Sequence, residues 1–241
     1  MFSEWINNIK NKQIIKAQKN EIFSIKKYGE LLSLNEQYCK LGQYLGKNNR
    51  ADKKVLELGC GPGKYVAMIE RLGYQVIGAD PYKFNEWEII KNDNIEFFDG
   101  IYAEKLPFQD DEFDNSVCLG ALLYFNSPEK ALSEIKRVTK KDGTIVIRTV
   151  NKNNYYTLNT GMKLDPASKN LYSMEELIEL LENSGFKVEE YYSWGYWPSV
   201  MTNQWWWLMN VVLTNTMINF ISNLTPIENR INLIVKIKNI K

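Results

Sequence analysis

From residue 53 onward the chain alternates short apolar runs with amphipathic stretches, and no other feature constrains its fold as much. "KKVLELG" (53–59) is apolar at successive positions, as a strand buried on both faces requires. "KYVAMIERLG" (64–73) then places Val66, Ile69 and Leu72 on one helical face and stops at Gly73. Strands are predicted at "QVIGAD", "IEFF" and "NSVCLG", followed by a helix over "SPEKALSEIKRVTKKDG" and a strand at "TIVIRTV". In that helix Ser127 is placed to cap the N-terminus, with Pro128 in the first turn. A second helix, "SMEELIELLENSG", opens with Ser173 and Glu176 at capping-box spacing and ends at Gly185. Strands at "FKVEEYYSW" and "INLIVKIKN" complete an α/β pattern: a mostly parallel sheet with helices on both faces. Residues 1–50 read as an N-terminal helical lid segment and 51–241 as one domain, 241 residues being enough for one substantial core.

Ligands of such sheets bind beyond the carboxyl ends of the strands, where strand order reverses. The glycine loop after the first strand, "VLELGCGPGKYV" (55–66), sits at one such end. It does not read as a phosphate cradle. A P-loop needs glycine where Leu58 stands and Ser or Thr where Tyr65 stands, and the dinucleotide fingerprint needs glycine at Lys64. What remains is an acid followed by three alternating glycines: Glu57, Gly59, Gly61, Gly63. A carboxylate there repels pyrophosphate and suits a ligand carrying positive charge. A second acid, Asp80, ends the next strand in "VIGADPY", where a ribose diol can be held by both carboxylate oxygens. A nucleoside with a cationic tail and no phosphate describes S-adenosylmethionine.

Several motifs in order strengthen this reading. "VLELGCGPGKY", "VIGADPY", "LPFQDDEFDNSVCLGALLYF" and "SPEKALSEIKRVTKKDGTIVI" together resemble the core of the class I S-adenosylmethionine-dependent methyltransferases, most closely the small-molecule branch that includes the quinone-biosynthesis C-methyltransferases. The resemblance implies a Rossmann-like three-layer sandwich with a mostly parallel seven-stranded sheet. It implies that Gly59, Cys60, Gly61 and Gly63 let the backbone approach the cofactor and that Asp80, with Pro81 beside it, holds the ribose. It also implies that Ala103 and Glu104 border the cofactor, with Leu119 and Gly120 beside its methionine end. Cys60 is then a small filler in the turn, and Asp114 a structural hydrogen-bonding group. Two departures stand out. Where many relatives have an Asp that touches the adenine amino group, this chain has Tyr102, which leaves Asp99, the Ala103 backbone or stacking for that contact. Where relatives often carry histidine after the fourth strand, this chain has Leu123 and Tyr124.

Histidine is absent from the whole chain, which excludes Ser-His-Asp and Cys-His nucleophiles and histidine metal sites. A general base is Tyr124 or there is none, which leans toward phenol, enol or amine acceptors. Cys39, Cys60 and Cys118 form no CxxC pair, so neither a disulfide framework nor a metal is expected, and a reducing, cytoplasmic setting fits. The N-terminus "MFSEWINNIKNK" lacks the apolar run of a signal peptide. A net charge of +1 argues against nucleic acid as the partner, and a small-molecule substrate is expected.

One stretch stands apart. Within the insertion at 191–230, residues 191–227 carry no charge and hold five of the seven tryptophans. Trp206, Met209, Leu213, Met217, Phe220 and Leu224 form one helical stripe, so a helical insertion before the last strand is expected. The repeated Asn and Thr argue against a transmembrane span. Packing on the domain, a lid over an apolar substrate, and a peripheral membrane contact through 194–224 all remain open. The function expected is methyl transfer to O, N or C of a small, partly apolar acceptor; the alternative is a non-catalytic cofactor-binding or assembly protein on the same fold.

Overall fold

A computed structural model describes residues 36–46, 50–153, 167–194, 230 and 232–241. Its elements are α1 (Glu36–Leu45), β1 (Lys54–Leu58), α2 (Lys64–Arg71), β2 (Gln75–Ala79), α3 (Trp87–Ile90), β3 (Ile95–Phe98), β4 (Phe113–Leu119), a 3-10 turn (Leu122–Tyr124), α4 (Pro128–Val138), β5 (Thr139–Val150), α5 (Met174–Asn183), β6 (Lys187–Trp194) and β7 (Asn232–Lys238). They build the expected seven-stranded sheet, in the order β3-β2-β1-β4-β5-β7-β6. Strands β1 to β5 pair in parallel, and β7 enters antiparallel between β5 and β6. The chain therefore steps outward from β1 to β3 and crosses back to β4, so strand order reverses between β1 and β4.

Alternation along the strands makes two cores, one on each face. Leu56, Leu58, Ile145 and Ile147 pack with Leu132 and Ile135 of α4 and Leu177 and Leu181 of α5. Val55, Val117 and Val146 pack with Leu41 and Tyr44 of α1 and Val66 and Ile69 of α2. Three layers result, because every strand of the centre has an apolar side chain for each face.

The expected caps form. Ser127 Oγ accepts the Lys130 amide at 3.5 Å, with Pro128 opening α4. Ser173 and Glu176 exchange bonds of 3.2 and 2.9 Å, and Gly185 follows α5 at φ +76°. Asp114 likewise takes a structural role, accepting the Lys54 amide at 3.0 Å and pairing with Lys140. One boundary differs from expectation: α4 ends at Val138 and the strand begins at Thr139, not after Gly143. The cause is tertiary. Asn239 Nδ2 takes the carbonyls of Lys136, Thr139 and Lys140, while Thr139 Oγ1 donates to Ile135 O and bonds Ser116 on β4. The short α3 and the 3-10 turn lie in stretches for which the sequence pattern predicts no element.

Among the described residues no helix is long and apolar enough to cross a membrane. The N-terminal segment before residue 36 and the 195–229 part of the insertion, with its Trp206 stripe, lie outside the described residues, and Cys39 is described only by its backbone in α1.

Candidate functional site

A cleft of about 570 Å³ opens at the carboxyl ends of β1, β2 and β4, where the strand order reverses. Its wall includes Gly59, Gly61, Asp80 and Pro81 on one side. Ala103, Glu104, Gly120 and Tyr124 line the other. Glu57, Cys60, Gly63 and Leu119 do not reach the surface of the cleft; they are buried immediately behind it.

The loop itself settles what it cannot hold. Gly59 N and Cys60 N both donate to Ala79 O, at 2.7 and 3.2 Å, and Gly63 N donates to Cys60 O at 3.0 Å. Gly61 N donates to Asp80 Oδ2 at 2.9 Å, and residue 62 is proline. Every amide from 59 to 63 is therefore engaged within the protein, and no nest of free N–H groups is left for a phosphate. Two of the glycines are needed for different reasons. At Gly59 (φ +71°) an added Cβ would overlap Ala121, because β1 and the turn after β4 meet there. At Gly61 (φ +52°) an added Cβ would meet nothing, since that face is the open cleft.

Asp80 is 7% exposed and held rigidly. Oδ2 accepts the Gly61 amide and Oδ1 the Tyr82 amide, each at 2.9 Å. Each oxygen keeps a second lone pair on the wall of the cleft. Beneath the loop Glu57 is 1% exposed. Burial, with the Asp80 charge added, pushes its carboxyl well above the usual range, against the Val66 amide, which lowers it. Its Oε2 is buried without a partner among the described residues. Two acids beside one cleft, one of them destabilised as an anion, favour a ligand with positive charge. The residues fit a nucleoside with a free diol and a cationic tail.

Cys60 is buried, and its thiol donates weakly to Gly61 O at 3.7 Å. Burial and the charges of Glu57 and Asp80 push its pKa upward, so it fills the turn as an inert thiol. Glu104 lines the cleft, yet its Oε1 is occupied by the amides of Asn126 and Ser127 at 2.7 and 3.1 Å. Burial would raise its pKa, but these amides and the Lys169 charge outweigh that and lower it. Glu104 thus ties the segment leading into α4 to the cleft. Of the alternatives for the adenine contact, Asp99 faces a separate hollow beside β3, whereas Ala103 lies on the cleft, as does the ring of Tyr102. Tyr124, 41% exposed, stands on the wall at the end of the 3-10 turn.

Trp87 was not singled out from the sequence. Its Nε1 donates to Gly61 O at 2.8 Å, and its ring stacks on Phe97 at 4.7 Å, so it braces the glycine loop from behind. The sequence shows only a tryptophan at 87, whose N–H needs an acceptor once the fold buries it.

The family described as a methyltransferase domain matches residues 31–191 of this chain. Among curated proteins, the uncharacterized methyltransferase YcgJ of Bacillus subtilis is 33% identical over 105 residues, covering 41% of each chain. A tRNA U34 carboxymethyltransferase of Campylobacter fetus is 32% identical over 108 residues, covering 42% of this chain and 38% of its own. The chain thus spans about two fifths of the length of these relatives. A solved S-adenosylmethionine-dependent methyltransferase from Aquifex aeolicus superposes with a TM-score of 0.59 at 18% identity, covering 91% of this chain and 98% of that one.

Proposed function

This chain belongs to the methyltransferase-domain family, and from that premise we propose that it transfers a methyl group from S-adenosylmethionine to oxygen, nitrogen or carbon of a small, partly apolar acceptor. The observation that carries the reading is the glycine loop, whose amides are all engaged while Asp80 is fixed on the cleft wall and Glu57 is buried beneath. Bound there, the cofactor supplies a sulfonium-activated methyl group for an in-line displacement.

The chain's own contribution is placement. Asp80 would accept the ribose hydroxyls on the lone pairs its backbone bonds leave open. Gly59 and Gly61 let the main chain approach, Gly63 and Cys60 shape the turn, and Trp87 holds it. Glu57 lies behind the wall, where a bound cationic group would offset part of the burial and Asp80 repulsion that raise its pKa. Pro81, Ala103 and Glu104 would border the base and ribose, and Gly120, backed by the buried Leu119, the methionine end. Tyr124, one of several polar groups on the wall, is the one we assign to orient or deprotonate an acceptor. The buried thiols of Cys60 and Cys118 suit a reducing compartment, and we place the protein in the cytoplasm.

The test is incubation with methyl-labelled cofactor and a lysate separated into small-molecule, lipid, RNA and protein pools. Label in the small-molecule pool is the expected result. Label confined to RNA, the substrate class in the name of the Campylobacter relative, would replace the acceptor proposed here. Tight cofactor binding with no label in any pool would leave a non-catalytic binding protein.

A further inference from the structure

We propose that Lys169 and Asn126 form a carboxylate-binding subsite for the methyl acceptor; the proposal rests on the methyltransferase reading above and names its substrate class. Both side chains are exposed on the wall of the cleft, and among the described residues Lys169 is the only cation there. Four bonds stitch the lysine to the turn after β4. Lys169 N and Asn170 N both donate to Leu123 O, at 2.8 and 3.1 Å. Asn170 Nδ2 donates to Phe125 O at 2.7 Å, and Lys169 Nζ donates to Asn126 Oδ1. An exposed lysine ordinarily gives up much rotamer freedom on meeting a ligand. Here backbone and ammonium are anchored beforehand, which lowers that cost.

The anchor leaves donors to spare. The one side-chain bond of Lys169 goes to a neutral amide oxygen, and among the described residues its ammonium makes no ion pair. An ammonium carries three N–H donors, so two remain. Asn126 turns its oxygen to the lysine, and its Nδ2 bonds nothing among the described residues, which adds a neutral donor beside the charged one. Glu104, the acid on this wall, spends Oε1 on the amides of Asn126 and Ser127 at 2.7 and 3.1 Å, and so fixes the backbone of the same turn. A charged donor and an amide N–H side by side suit the two oxygens of one carboxylate.

Its place on the wall says whose carboxylate that is. Asp80 and the buried Glu57 lie at the ends of β2 and β1, on the side of the diol and the cationic tail. Lys169 and Asn126 are tied to the turn after β4, on the other wall with Tyr124, which is left to the acceptor. Tyr124 and Phe125 add ring surface there, so the ligand that fits is an aryl or alkyl carboxylic acid. One ammonium matches one negative charge, whereas a phosphate dianion would leave a second charge unanswered on the wall that carries Glu104.

The experiment titrates benzoate, its neutral isostere benzamide and phenyl phosphate, by ligand-observed NMR, into protein saturated with S-adenosylhomocysteine. The proteins are the parent, Lys169→Met, Lys169→Arg and Asn126→Asp. Separate titrations of S-adenosylhomocysteine and of 5′-methylthioadenosine, which lacks the amino-acid carboxylate, are run on all four. The parent should prefer benzoate to benzamide about fivefold, the upper end for an exposed ion pair, and should bind phenyl phosphate more weakly than benzoate. Lys169→Met should lose the preference at unchanged S-adenosylhomocysteine affinity, and Lys169→Arg should keep most of it. Asn126→Asp should lose it with the lysine still in place, because the introduced carboxylate takes the ammonium. Equal binding of benzoate and benzamide by the parent, or an undiminished preference in Lys169→Met or Asn126→Asp, overturns the subsite. Phenyl phosphate binding tighter than benzoate overturns the carboxylate. Weaker S-adenosylhomocysteine with unchanged 5′-methylthioadenosine in Lys169→Met overturns the acceptor, by giving the lysine to the cofactor's own carboxylate. A parent that binds no S-adenosylhomocysteine contradicts the methyltransferase reading itself.

Discussion

Replacing Asp80 with asparagine tests the site at the atom where fold and function meet. Both carboxylate oxygens accept a backbone amide at 2.9 Å, from Gly61 and from Tyr82. Asparagine has one oxygen, so in either orientation its NH2 group faces one of those two N–H donors. With the residue only 7% exposed, water cannot replace the lost partner, and the unsatisfied amide should cost about 1–3 kcal/mol of stability. The ligand suffers separately. A hydroxyl of the bound diol loses a charged acceptor, worth about 1.5–3 kcal/mol, so the dissociation constant for S-adenosylhomocysteine should rise roughly 10- to 150-fold. Calorimetry of parent and variant with S-adenosylhomocysteine and its 2′-deoxy analogue forms a double cycle that isolates the diol contact. Removing the hydroxyl should weaken binding to the parent and have much less effect on the variant. Parental affinity in Asp80→Asn, or equal effects of deoxygenation in both proteins, would show that Asp80 does not hold the ribose.

Gly59→Ala should destabilise by about 2–5 kcal/mol, combining the left-handed backbone with overlap on Ala121; a urea midpoint at the parental value refutes the close approach. Glu57 is buried with a raised pKa, so folding takes up a proton above the free-acid value of 4.5, and stability must fall as pH rises from there. Glu57→Gln should therefore gain stability relative to the parent between pH 5 and 8 and gain little near pH 4, as successive urea melts would show; a constant difference across that range contradicts the assignment. Tyr124→Phe should lower turnover at unchanged cofactor affinity, and unaltered turnover returns Tyr124 to packing.

The strands and long helices were readable because their signals are local. β1 is apolar on both faces at successive residues, and α5 carries both partners of its capping box within four residues. The glycine loop was readable for the same reason, since Glu57 to Gly63 is one continuous stretch. What escaped depends on partners far along the chain. Trp87 acts through a carbonyl 26 residues before it, and the end of α4 is set by Asn239, a hundred residues after Thr139. "KRVTKKD" reads as a continuing helix, and the buried bonds of Thr139 and Asn239 end it at Val138 and begin the strand at Thr139. The hold of Glu104 on the amides of Asn126 and Ser127 was not legible, because a loop amide 22 residues away leaves no mark in composition.

The glycine loop, with no amide from 59 to 63 to offer a phosphate, should select a diol-bearing cationic nucleoside. Side-by-side calorimetry of the protein with S-adenosylmethionine, S-adenosylhomocysteine, ATP and NAD tests it directly. One-to-one binding of the first two in the micromolar range, about −8 kcal/mol, with no measurable heat from ATP or NAD, is the expected outcome. Binding of ATP or NAD as tight as that of S-adenosylmethionine would contradict it.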